Sequence, residues 1–98
     1  MTYRLTFVKS AEKEWRKLGV TVRNEFLSIL QKRLEDPHVE SAKLRGLKNC
    51  YKIKLRSVGY RLVYKIYDDH IEVRVISVGR RDGSVYDAAN TRQNDDGI

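Results

Sequence analysis

Cysteine occurs once, at Cys50, so no intrachain disulfide can form and the chain suits a reducing cytosol. No apolar run is long enough to span a bilayer. The opening, MTYRLTFVKSAEKEW, has no apolar core followed by a small-residue cleavage site, so no secretory signal is expected. His38 sits beside Pro37 and His70 lies in an expected turn, and neither has a partner at metal-ligand spacing. A glycine-rich phosphate loop is missing, and no Ser–His–Asp or Cys–His arrangement stands out. These absences argue against a metal centre and a covalent hydrolase, and no cofactor is expected.

The most informative absence is local. Between Lys43 and Lys65 there is no Asp or Glu, yet eight of the chain's 20 Lys and Arg lie there: Lys43, Arg45, Lys48, Lys52, Lys54, Arg56, Arg61 and Lys65. Outside that segment 12 basic residues meet all 13 acids, so the remainder is nearly neutral although the chain carries +7. The basicity belongs to one segment, as a binding surface would have it.

What is present reads as one globular domain over residues 1–98. The sequence is 41% hydrophobic and 34% charged, which is not a disordered composition. Residues 3 to 9 alternate as a strand, with Tyr3, Leu5 and Phe7 on one face. Ser10 can cap a helix with the stripe Ala11, Trp15 and Leu18, and Gly19 can stop it. Thr21 can cap a second helix that presents Val22, Phe26, Ile29, Leu30 and Leu34 and ends before Pro37. Strand-like runs follow at 50 to 56, 60 to 67 and 71 to 79, with Val58-Gly59 and Asp68-Asp69 as turns. Residues 84 to 92 can form a short helix, and the last six to ten are expected to be disordered. The expected fold is α+β: an N-terminal strand, an antiparallel helical hairpin, then an antiparallel meander, with the helices on one sheet face.

Strand side chains alternate between faces. If Val58-Gly59 is a two-residue turn, Arg56 faces Arg61, Lys54 faces Val63 and Lys52 faces Lys65. One face of the hairpin is then basic. The other carries Tyr51, Ile53, Leu55, Leu62, Tyr64 and Ile66 and can pack on the helices. Facing like charges cost a sheet a few tenths to about 1 kcal/mol per pair. A solvated strand face is the ordinary meaning of a charge run. Two facing strands without an interspersed acid point instead to an acidic partner, a nucleic-acid backbone or an acidic protein. Any phosphate chemistry would fall to Lys, Arg and Tyr, with cations stabilising a pentavalent phosphate.

EWRKL in the first helix, KLRG before the hairpin, CYKIKLRSVGYRLVYK, and VISVGRR followed by Tyr86 resemble the RelE toxins of bacterial type II toxin–antitoxin systems, within the RelE/ParE superfamily. The resemblance implies a microbial-ribonuclease-like fold without the usual acid and base residues. It implies a metal-independent endoribonuclease that enters the A site of the 70S ribosome and cuts mRNA there. The 2′-hydroxyl attacks the adjacent phosphate and leaves a cyclic phosphate. The implied partners are a cognate RelB-like antitoxin, the ribosome with its 16S rRNA, mRNA, and operator DNA only through the antitoxin complex, with no membrane. The implied catalytic set is Lys52, Lys54, Arg61, Arg81 and Tyr86.

On that resemblance Arg61 and Arg81 would neutralise charge on the scissile phosphate, and Arg81 would also serve the 5′ leaving oxygen. Lys52 and Lys54 would hold phosphate, and one of them would help deprotonate the 2′-hydroxyl. Tyr86 would stack on a base or take that proton itself. It lies one residue nearer Arg81 than the family pattern, and the tail DAANTRQNDDGI lacks the amphipathic basic helix frequent in the family. Lys43, Arg45, Lys48, Arg56 and Lys65 are assigned to ribosomal RNA. Tyr51, Tyr60 and Tyr64 lie on the apolar parity and are expected as core or half-buried strand residues, and Trp15 is expected between helix and sheet. Arg80 has the opposite parity to Arg81, so choosing between them rests on the resemblance. Three other readings stay open: a ParE-like poison of DNA gyrase, a non-catalytic RNA-binding module, and a degenerate toxin that keeps only antitoxin binding.

Overall fold

The computed structural model describes residues 2–55, 58–81 and 83–97. The elements follow the expected order: β1 (Arg4–Phe7), α1 (Lys9–Arg16), α2 (Val20–Glu35), a 3-10 turn (Glu40–Ala42), β2 (Cys50–Leu55), β3 (Tyr60–Tyr67), β4 (Glu72–Arg80) and α3 (Val85–Arg92). The four strands form one mixed sheet in the order β1-β4-β3-β2. β2, β3 and β4 are the antiparallel meander, and β1 joins β4 in parallel across the helical hairpin. Among the described residues no helix is long and apolar enough to cross a membrane.

Neither helix of the hairpin starts where its sequence cap was expected. α1 begins straight out of β1. Val8 donates to the Val75 carbonyl as the last rung of the β1–β4 pairing, and its own carbonyl accepts from Glu12 N–H, so Ser10 already lies inside the helix. Gly19 is not a stop but the extended residue that opens α2, and Thr21 is within that helix. Backbone geometry set by the preceding strand and turn has replaced side-chain capping.

The apolar core lies where the strand and helix periods predict. Phe26 and Leu30 of α2 and Ala11 of α1 are buried with Ile53, Leu62, Tyr64, Val73 and Val75. The Trp15 ring lies 5.3 Å from Phe7 and 6.2 Å from Phe26, a wedge between helices and sheet. Tyr51 and Tyr64 are buried and stacked at 5.7 Å, so they are core residues, as expected.

Two expectations need correction. The helices do not share one sheet face. Tyr64 pairs with Val75, and Val75 with Phe7, on the α1–α2 side, whereas Val63 pairs with Ser77 on the other. α3 takes that other side: the Ser77 hydroxyl donates to the Val85 carbonyl, and a Cβ built on Gly79 would lie 3.8 Å from Val85 Cβ. A bulge at Ile76 keeps both sequences of contacts in phase. Beyond Phe7 the amide of Val78 has no strand partner, and Glu14 of α1 accepts its hydrogen bond at 3.1 Å. The same carboxylate receives two bonds from Arg92, 2.8 and 3.2 Å, and so ties α1 to α3 around the sheet edge.

The second correction is the hairpin register. Lys54 faces Arg61, Lys52 faces Val63 and Lys65 faces Cys50. The loop is two residues wider than expected and closes by a bond from Gly59 N–H to the Leu55 carbonyl, 3.1 Å. A two-residue type I′ turn would require positive φ at Val58, which a β-branched residue resists. In the wider loop only Gly59 has positive φ among its described residues, at 67°. The expected Arg56–Arg61 pair falls partly outside the described residues, and Arg61 has Lys54 as its neighbour instead. Because the slip is two residues and not one, the faces are preserved and the cations still share one side.

Candidate nucleic-acid interface

Register brings four of the five expected residues to one face. Lys52 and Lys54 on β2 share a face with Val63 and Arg61 on β3, and Arg61 pairs with Gly79 on β4. Arg81 follows β4, but its N–H donates to the Gly59 carbonyl at 2.8 Å, so the β3–β4 pairing runs one residue past Arg80. Parity then puts Arg81 on the Gly79 and Arg61 side. Arg80 lies on the opposite side, its guanidinium 5.2 Å above the ring of half-buried Tyr60. The pairing thus persists far enough to set the two arginines on opposite faces.

Gly79 lies beside Arg61 under the first turn of α3, where a Cβ would meet Val85 Cβ at an ordinary van der Waals distance of 3.8 Å, and Val85 is 4% exposed. Tyr86 is the next residue and is half-buried against the core. The helix start that carries it also brings partial positive charge to the cation end of the sheet.

Among the described residues, no acid forms an ion pair with Lys52, Lys54, Arg61 or Arg81; the carboxylates pair elsewhere. Among the described residues the Arg61 side chain donates to its neighbour's carbonyl, Tyr60 O, at 3.0 Å and to no other group. Lys54 and Arg81 are exposed, and Lys52 and Arg61 are half-buried. Such a face can attract and hold a polyanion and can neutralise charge growing on a phosphate. The single thiol is not part of it, because burial pushes Cys50 up to about 11. Among the described residues no three His, Cys, Asp or Glu side chains gather into a metal-binding group.

The RNA-contact set divides. Lys43, Arg45 and Lys48 are exposed around an open cavity of about 670 Å³ that also includes Glu40, Leu44 and Leu47. Arg56 lies outside the described residues. Lys65 is engaged within the chain. Its ammonium donates to the Gln93 carbonyl at 2.9 Å and lies 5.2 Å from the Tyr67 ring centre, so its charge is used in holding the end of α3.

The same end of the sheet carries a second polar network. Arg74 donates to Glu72 at 2.7 Å and to the Asp95 carbonyl at 2.8 Å, and it stacks 4.2 Å over Tyr67. Burial pushes the Glu72 carboxyl up, but hydrogen bonds from Arg74, Thr6 and His70 outweigh it and hold the group at about 2.

One cation near the site was not selected from sequence. Arg33 of α2 reaches the Lys52 carbonyl and shares a cavity with Lys52 and Lys54. Its signal was available: Arg33 falls four residues after Ile29 and three after Leu30, on the apolar stripe, where a charge needs an explanation.

A family model for the ParE toxin of the type II toxin–antitoxin system parDE matches residues 5–84. Pairwise comparison is more specific. The chain is 55% identical over 93 residues to the mRNA interferase toxin RelE of Escherichia coli K12, covering 94% of this chain and 98% of that protein. The chain belongs to the RelE toxin family. An mRNA interferase RelE from Shigella flexneri matches to the same extent. The structure of a doubly arginine-substituted E. coli RelE in the free state superposes with a TM-score of 0.88 at 53% identity, over 94% of this chain and 98% of that one. The toxin chain in the intact E. coli RelBE toxin–antitoxin complex gives 0.80 at 54% identity, over 83% of this chain and 99% of that one. The α+β fold of this RelE-family chain is therefore the fold of solved RelE toxins.

Proposed function

We propose that this chain is the toxin of a type II pair: a ribosome-dependent endoribonuclease that cleaves mRNA in the A site and is neutralised by a RelB-like antitoxin. One observation carries the reading: Lys52 and Lys54 of β2, Arg61 of β3 and Arg81 just past β4 come to one face with no acid paired to them among the described residues. A phosphodiester over that face meets charge on both sides. The substrate's 2′-oxygen attacks phosphorus, the bond to the 5′-oxygen breaks, and the products are a cyclic phosphate and a 5′-hydroxyl. Arg61 and Arg81 neutralise the phosphoryl oxygens. Lys52 or Lys54 assists removal of the 2′-hydroxyl proton, and Tyr86 stacks on a base or takes that proton. Lys43, Arg45 and Lys48 meet 16S rRNA. The names of the relatives, mRNA interferase and RelBE complex, support the substrate and the partner. Operator DNA is reached through the antitoxin complex, and the site of action is the cytoplasm.

The test is primer extension on a defined mRNA in a bacterial translation system, with and without ribosomes. Wild type should cut within A-site codons only when ribosomes are present. Arg81→Ala should lose about 10²–10³ in rate, the usual cost of one preorganised charge donor. Arg80→Ala, on the opposite sheet face, should stay within a few-fold of wild type. Equal losses in the two variants would refute the assignment by parity. The ParE family model favours a second reading, inhibition of DNA gyrase. It predicts loss of supercoiling activity and no mRNA cuts.

A further inference from the structure

β2 is the outer strand of the sheet, and its free edge is partly covered. Leu44 N–H donates to the Cys50 carbonyl at 2.9 Å, and Lys43 bridges to Tyr51, so the chain after the 3-10 turn runs alongside β2. Past that contact a cavity of about 250 Å³ opens between α2, the turn and the strand. Arg33, Ser41, Ala42, Lys52 and Lys54 line it, and no acid among the described residues does. It is smaller than a drug-sized pocket and suits a phosphate with part of its sugar.

Arg33 is fixed there by neutral acceptors. One terminal nitrogen donates to the Lys52 carbonyl at 3.3 Å and to the Tyr64 hydroxyl at 2.9 Å, and the guanidinium carbon stands 5.8 Å from the Tyr64 ring centre. The Tyr64 hydroxyl in turn donates a hydrogen bond to the Pro37 carbonyl, 2.8 Å, so the support is itself held. Neither acceptor carries charge, and no acid among the described residues pairs with Arg33. The other terminal nitrogen and Nε have no hydrogen-bond partner among the described residues. An oriented guanidinium with spare donors is a bidentate phosphate ligand. The small side chains of Ser41 and Ala42 leave it room, and the Ser41 hydroxyl is exposed at the rim.

We infer that this cavity is a second phosphate site, which takes a phosphodiester flanking the scissile one. Arg33 is its principal ligand, Ser41 a hydroxyl donor, and Lys52 and Lys54 the shared wall between the two sites. The inference rests on the proposed reading of the chain as an RNA-cleaving toxin and extends it. The RNA strand crosses the edge of β2, with Arg61 and Arg81 on one side and Arg33 on the other.

The experiment measures affinity of the full chain for a fluorescent, non-cleavable 2′-O-methyl oligoribonucleotide across a NaCl series. Arg33→Gln should weaken binding about threefold to tenfold at low salt. It should also lower the slope of log affinity against log salt by about 0.7, the value for one lost contact on a single strand. Arg33→Lys should keep the slope. Ser41→Glu brings a carboxylate to the rim without touching the Arg33 supports and should weaken binding at least tenfold, well beyond the loss from Ser41→Gln, which adds the same bulk without the charge. Weaker binding by Arg33→Gln with an unchanged slope would make Arg33 a structural residue only and overturn the inference. So would wild-type binding by Ser41→Glu, or a Ser41→Glu effect confined to antitoxin binding, which would reassign the cavity to an acidic peptide. Absence of mRNA cuts by wild type would sink the nuclease reading and leave this binding result standing.

Discussion

Lys54 and Arg61 lie directly opposite each other with no acid between them, so this chain should gain stability when Lys54 is replaced. Facing like charges cost a sheet about 0.2–1 kcal/mol, and facing opposite charges gain a similar amount. Lys54→Glu converts one into the other, a swing of roughly 0.5–2 kcal/mol. Lys54 is exposed, so screening favours the lower half of that range. Lys and Glu are both poor strand residues, and propensity should nearly cancel. For a domain of this size about 0.5–1 kcal/mol corresponds to about 2–8 °C in Tm. Trp15, wedged between Phe7 and Phe26, supplies a fluorescence signal for urea unfolding. At low ionic strength the midpoint should rise for Lys54→Glu and rise by about half as much for Lys54→Gln. Both gains should shrink in 1 M salt, where the screening length is about 3 Å. Cleavage by Lys54→Glu should fall at least about tenfold. A midpoint at or below wild type at low salt would refute the claim that cations are gathered here against the fold's own preference.

Two further outcomes follow from the other end of the sheet. Glu72 is held at about 2, below its usual 4.5, so its contribution to stability is fully present above that usual value and is lost as pH falls from there toward 2. Glu72→Gln should flatten this acid limb in pH-dependent urea unfolding; an unchanged limb would refute the assignment. Lys65→Ala removes the donor to Gln93 and should speed amide exchange across Val85–Arg92 about fivefold or more, with the salt slope of RNA binding unchanged. A lower salt slope would return Lys65 to the RNA-contact set.

Much of the site was legible because strand parity is local. Lys52 and Lys54 alternate with Tyr51, Ile53 and Leu55 whatever the strand pairs with, so the sorting of cations from core needed no partner. Arg61 could be placed on the same face for the same reason. The sequence was a poorer guide wherever two distant segments had to meet. Ser10 and Thr21 are good caps by type, yet β1 and the inter-helix turn delivered Val8 and Gly19 to those positions. Lys65 has the parity of a site cation, but the end of α3, almost thirty residues later, takes its ammonium.

The sequence by itself determined the order of elements, the two faces of the hairpin, the basic segment and the family. These follow from covalent alternation, helical period and residue type, which act over a few residues. Tertiary structure decided the register, the second face for α3, the persistence of pairing that sets Arg81 and Arg80 on opposite faces, and the meeting of Arg33 with Lys52 and Lys54. Each of those depends on closing a loop and pairing strands remote in the chain. A hairpin slip of two residues changes no local preference, yet it replaces every cross-strand neighbour.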